Sequence, residues 1–246
     1  MSKPIMYHVV AGYPDPQACL RLMLGMQAAG ATAIEVQVPF SDPIADGETI
    51  MEANDMALAG GMTTAACFAL IEKARRQGLA CDLYIMSYLQ KVQHFGLSEF
   101  CERAGKCQVK GLIIPDLPYD SMEFPGLHKL ARKNHLALVP VLSPGMPEVR
   151  LRAELSLNPP VIYVTSSQGI TGNEYTPAAR LHQLVKDIKT MSKAAIMIGF
   201  GISTSGDVDD VLDIGDVAVV GSAVIKNIQT SGVKNALNFV KTLTSD

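Results

Sequence analysis

The 246-residue chain has no apolar run long enough to cross a bilayer, no long linker and no low-complexity or repeated tract. A membrane span and a solenoid are excluded on that ground. Lys and Arg are scattered, and the formal net charge is −3, so no basic footprint for nucleic acid is present. The five cysteines, Cys19, Cys67, Cys81, Cys101 and Cys107, are odd in number and include no Cys-x-x-Cys pair. Neither a disulfide framework nor a structural zinc site is indicated, and the cysteines read as reduced packing residues. His8, His94, His128, His135 and His182 lack the local spacing of a metal motif with neighbouring carboxylates, so no metal is expected. The N-terminus, Met1-Ser2-Lys3-Pro4-Ile5-Met6, runs straight into a strand-like segment, and the expected location is cytoplasmic.

What is present is a core supply, with 48% apolar residues, and a regular alternation of strand-like and helix-like segments. Eight strand candidates are Met6–Val10, Ala33–Val38, Asp82–Ser87, Gly111–Pro115, Ala137–Leu142, Val161–Val164, Ala195–Gly199 and Val217–Gly221. Between them lie the amphipathic segments Pro16–Ala28, Thr64–Gln77, Leu97–Cys107, Phe124–Asn134, Pro147–Leu155, Ala178–Thr190 and Asp207–Leu212, with Gly232–Thr244 closing the chain. Eight βα units without a composition break predict one (β/α)8 TIM barrel over residues 1–246. A doubly wound open sheet is the alternative, since alternation alone does not prove closure.

The densest chemistry lies in the second unit. Ile34, Val36 and Val38 alternate with Glu35 and Gln37, so the polar pair shares one face, and in a closed barrel that face looks inward. A carboxylate in a barrel mouth loses hydration, an environment suited to giving and taking protons near neutral pH. Glu35 is the leading acid–base candidate. Asp46, in the loop that follows, brings a second carboxylate, although Asp42-Pro43 and Asp46-Gly47 are also ordinary turn dipeptides.

Two glycine loops follow the seventh and eighth strand candidates, Gly199-Phe200-Gly201-Ile202-Ser203 and Gly221-Ser222-Ala223. Gly201 and Gly221 let backbone N–H groups approach an anion, and Ser222 adds a hydroxyl at a helix start, so a phosphate cup is expected there. The segment Thr165–Glu174, after the sixth strand, is long, small and polar and reads as a lid.

The string from Glu35 to Ile50 closely resembles the motif after the second strand of the tryptophan synthase alpha chain family. Glu35, Pro39, Phe40, Ser41, Asp42, Pro43, Ala45, Asp46, Gly47, Thr49 and Ile50 fit it. The sixth loop resembles the same family through Ser166, Gly169, Thr171 and Gly172, and the seventh and eighth loops through Gly199–Ser203 and Gly221–Ala223. Gly12-Tyr13-Pro14-Asp15, Tyr88 and Asp116-Leu117-Pro118 extend the likeness along the chain.

The resemblance implies a lyase that cleaves indole-3-glycerol phosphate to indole and glyceraldehyde 3-phosphate. It implies no cofactor in this chain and an α2β2 assembly with a pyridoxal-phosphate-dependent beta chain. By resemblance Glu35 protonates indole C3 and deprotonates the glycerol hydroxyl, while Asp46 accepts the indole N–H. Gly172, Gly201, Gly221 and Ser222 would hold phosphate. Tyr163 would line the indole pocket, and Tyr88, Asp116, Thr171 and Phe200 would support pocket or loop. A stand-alone lyase releasing indole, and a weakly catalytic phosphate-binding activator of a beta chain, are the alternatives.

Gln37, Glu48, Met51 and Val10 depart from the family's glycine, proline, glutamine and frequent threonine, and Tyr88-Leu89-Gln90-Lys91 lacks its usual asparagine and proline. The family's N-terminal helix under the barrel floor is also missing or minimal, which would expose apolar surface unless other side chains cover it.

Overall fold

The computed structural model describes residues 3–165, 177–199 and 201–244. Its strands are β1 (Ile5–Val10), β2 (Ala33–Gln37), β3 (Asp82–Met86), β4 (Gly111–Ile113), β5 (Ala137–Val139), β6 (Val141–Leu142), β7 (Val161–Thr165), β8 (Ala195–Gly199) and β9 (Val217–Val220). All are parallel, in the order β5-β4-β3-β2-β1-β9-β8-β7-β6.

The apparent gap lies inside one predicted strand. Pro140 separates β5 from β6, having no N–H to offer a ladder, but its carbonyl accepts from Tyr163 N at 3.0 Å. β5 pairs with β4 and β6 with β7, so the ring passes through Pro140. Together with the β1–β9 pairing, this overturns the open-sheet alternative. The predicted seventh and eighth strands are thus β8 and β9.

Ten helices are assigned among the described residues: α1 (Pro16–Ala28), α2 (Glu48–Ala59), α3 (Thr64–Arg76), α4 (Leu89–Phe95), α5 (Leu97–Lys106), α6 (Phe124–Lys133), α7 (Glu148–Ser156), α8 (Pro177–Met191), α9 (Ser205–Leu212) and α10 (Ser222–Thr244). Local chemistry sets several starts. Asp15 accepts from Ala18 N at 2.8 Å ahead of a proline at the first helical position of α1. Thr204 and Asp207 form a reciprocal capping box on α9.

Two helices escape the sequence pattern. α2 buries only Ala53, Asn54 and Ala57 while Met51 and Met56 stand exposed, and α4 buries only Val92. A stripe that thin gives no strong helical period. The predicted Gly232–Thr244 helix is the second half of α10, which starts ten residues earlier and turns at Gly232, with φ of 76°.

Side-chain alternation makes two packing layers. Ile34, Val36, Leu83 and Ile85 face the helices, while Met6, Ala33, Tyr84, Ile113, Val161 and Met197 fill the barrel. Gly111 makes room in the interior, since a Cβ there would stand 2.9 Å from Ala137 O and 3.2 Å from Tyr84. At the floor, Met6, Ala33 and Val161 are buried, so the expected apolar exposure is not found at these residues.

Candidate active site

Glu35 and Gln37 point inward from β2, as the alternation predicts, and both are buried, at 3% and 0% exposure. The register places Glu35 between His8 on β1 and Tyr84 on β3. Glu35 Oε2 lies 2.8 Å from His8 Nδ1, forming a buried pair that no local motif announced. The signal available in the sequence was a histidine at an inward position of the first strand, but its partner depends on cross-strand register.

Asp46 reaches the same cavity from the loop between β2 and α2. Gln37 Nε2 donates to Asp46 Oδ2 at 2.6 Å, and the Tyr88 hydroxyl donates to the same oxygen at 3.2 Å. Tyr88 also accepts from Ala45 N at 3.0 Å, so one buried phenol fixes both the carboxylate and its loop. Asn54, fully buried on α2, accepts from Phe40 N at 3.0 Å and donates to Ile50 O at 2.8 Å. This anchor of the loop was missed along with its helix.

The charges bear on one another. Burial holds Asp46 above the usual carboxylate range against the pull of His8 and the donors Gln37 and Tyr88. Tyr163, on β7, is held well above its ordinary value by burial and then by Glu35 and Asp46, so its phenol stays neutral. The thiols Cys19, Cys101 and Cys107 are each pushed up to about 11, chiefly by burial, which fits packing residues.

Across the mouth, Gly201 takes a positive φ of 53°, and a Cβ on it would meet nothing within 4 Å. Gly221 immediately precedes α10, where Ser222 occupies the first turn, and the leading N–H groups of a helix have no partner within it and suit an anion. Gly199 lets the Tyr163 hydroxyl close in, since a Cβ there would stand 2.9 Å from it. A cavity of about 480 Å³ joins Glu35, Asp46, Tyr163, Gly201, Gly221 and Ser222, and Arg150 also lines it.

Asp116 stands apart from this group, with Oδ1 accepting from Leu89 N at 2.9 Å at the start of α4. Thr171, Gly172, Phe200 and the expected lid beyond Thr165 lie outside the described residues. Among the described residues, no group of three His, Cys, Asp or Glu side chains is placed to hold a metal, and no helix is long and apolar enough to cross a membrane.

A parallel barrel whose mouth joins a buried carboxylate and a half-buried one to glycine-edged loops has the make-up of an acid–base enzyme. Residues 2–245 match the family described as tryptophan synthase alpha chain. The tryptophan synthase alpha chain of Chloroflexus aggregans is 32% identical over 245 residues, which are 98% of this chain and 91% of that one. The one from Shouchella clausii is 35% identical over 220 residues, which are 89% and 81% of the two chains. A mutant tryptophan synthase alpha subunit from the hyperthermophile Pyrococcus furiosus superposes with a TM-score of 0.87 at 28% identity, over 99% of each chain. The chain belongs to the tryptophan synthase alpha chain family.

Proposed function

We propose that Glu35 and Asp46 carry the lyase reaction of this family, cleavage of indole-3-glycerol phosphate to indole and glyceraldehyde 3-phosphate in tryptophan biosynthesis. The observation that carries this reading is the single cavity in which both carboxylates meet Gly201, Gly221 and Ser222. A phosphate on the β8 and β9 side would hold the glycerol chain across the mouth, with the indole toward Asp46 and Tyr163.

Glu35 protonates C3 of the indole, which turns the ring into an electron sink. It then takes the glycerol hydroxyl proton as the carbon–carbon bond breaks. Asp46 accepts the indole N–H, and its negative charge stabilises the positive charge that builds on the ring. Tyr88 and Gln37 hold that carboxylate in place. Tyr163, neutral and partly buried, lines the ring pocket.

The chain itself needs no cofactor in this reading. Its partner is a beta chain carrying pyridoxal phosphate in an α2β2 assembly, and its place is the cytoplasm. Exposed apolar side chains on loops at the mouth support a covering partner there, Ile44 at 82% and Met122 at 96%.

The test is indole release from indole-3-glycerol phosphate by the purified chain, alone and with a beta chain. The subunit reading predicts release that rises in the presence of the beta chain. Equal release in both conditions indicates a stand-alone lyase. No release in either, with a beta chain still stimulated, indicates an activator.

A further inference from the structure

The histidine that faces Glu35 across the β1–β2 register has consequences for the reaction. Its ring is 5% exposed and bonds Glu35 Oε2 through Nδ1 at 2.8 Å. Among the described residues its other nitrogen, Nε2, is buried without a hydrogen-bond partner, and so is Oε1 of Gln37 on the neighbouring strand. An ionised carboxylate only accepts, so the Gln37 amide nitrogen belongs on Asp46 and the amide oxygen is left for a donor. A doubly protonated imidazole supplies that donor at Nε2 while keeping Nδ1–H on Glu35. A buried donor and a buried acceptor, neither with a partner among the described residues, thus stand beside the Glu35 and Asp46 carboxylates, close enough for Gln37 to act on the charge of the ring.

We propose that His8 is a positioning residue for Glu35, storing the proton that Glu35 delivers to the substrate, and that Gln37 ties this pair to Asp46 so that the two carboxylates act as one unit. The proposal rests on the assignment of Glu35 as the acid–base group. In the resting pair the imidazolium faces the carboxylate. The Nδ1 proton passes to Glu35, and the carboxyl so formed gives that same proton to C3, forming the C3–H bond and leaving His8 neutral. The carbon–carbon bond then breaks, its electron pair restoring the indole ring. The hydroxyl O–H pair becomes the new carbonyl bond, and the released proton returns through Glu35 to Nδ1. No net proton is consumed.

The surroundings suit a stored proton. Burial alone would lower the affinity of the imidazole for it, but Glu35, then Asp46 and Gln37, outweigh burial and hold the His8 pKa above the ordinary histidine value. Among the described residues, the titratable and charged groups that line the cavity with the ring are Glu35 from β2, Asp46 from the loop after it, Tyr163 from β7 and Arg150 of α7. Among the described residues nothing bonds Glu35 Oε1, which leaves that oxygen for the substrate.

The test compares His8→Asn with the wild-type chain. Asparagine can still donate to Glu35 but cannot store a proton. The expected result is a fall in kcat of roughly tenfold or more, with the affinity for glycerol phosphate unchanged. The alkaline limb of the kcat–pH profile should move down by about one pH unit or more, because the pair no longer holds a proton on the ring. An unshifted pH profile overturns the proposal.

An NMR titration of isotope-labelled histidine in the wild-type chain needs neither substrate nor a folded His8 variant. His8 should remain an imidazolium above pH 7 and lose its proton at lower pH in Glu35→Gln. A ring that is neutral across the range, or indifferent to Glu35→Gln, rejects the stored proton. A charged, coupled ring in a chain that releases no indole rejects the activity instead and leaves the pair intact.

Discussion

The two halves of the barrel mouth are built by different means. On the β1–β3 side, side chains fix side chains: His8 on Glu35, Gln37 and Tyr88 on Asp46, and Asn54 on the backbone of the same loop. On the β8–β9 side the work falls to backbone, with glycines at 199, 201 and 221 and a helix start at Ser222. A group that must change protonation needs neighbours that set its charge, whereas a phosphate keeps its charge and needs only donors and room. Variants of the first half should therefore impair turnover, and variants of the second should impair binding.

The largest effect is expected for Glu35→Gln, which keeps shape and removes proton transfer. Turnover should fall by about 10²–10⁴-fold while glycerol phosphate still binds, and retention of a tenth of wild-type rate would break the assignment. Next, Asp46→Asn should lower turnover by about 10²–10³-fold, judged against loss of a single charge-stabilising group. Ligands lacking the indole N–H should bind it as they bind the wild type, and equal weakening of both ligand types would remove Asp46 from its role.

Ser222→Asp sharpens the comparison from the other side. A negative charge in the phosphate cup should weaken glycerol phosphate on the order of 100-fold in calorimetry, and unchanged affinity would move the phosphate site elsewhere. Ser222→Ala should cost only about 0.5–1.5 kcal/mol, since the backbone donors remain.

Tyr88→Phe crosses from chemistry to scaffold. It strips Asp46 of one donor and leaves Ala45 N without its acceptor, so denaturant unfolding should show a loss of about 1–3 kcal/mol. The smallest effect belongs to Thr204→Ala, which does not line the cavity; it removes half of the α9 capping box and should cost about 1 kcal/mol of stability with no change in turnover.

These two halves were unequally legible. Period-two alternation put Glu35 inside the barrel, and the glycine loops after the seventh and eighth predicted strands line the same cavity, so the position of both at the mouth followed from local pattern. The His8 contact did not, because a cross-strand neighbour depends on register between segments 27 residues apart. Asn54 was hidden by α2, whose buried face consists mostly of alanine and leaves large apolar residues outside. The split of the fifth strand was a matter of one residue, Pro140, whose missing N–H breaks the ladder without opening the ring.

The most direct measurement is a crystal structure of the chain with an unreactive analogue of indole-3-glycerol phosphate. The account predicts the phosphate on the backbone donors at Gly201, Gly221 and Ser222, the indole N–H within about 2.6–3.2 Å of Asp46, and a Glu35 oxygen facing C3. An analogue bound with its phosphate elsewhere, or with its ring turned so that neither carboxylate reaches N–H or C3, would contradict it.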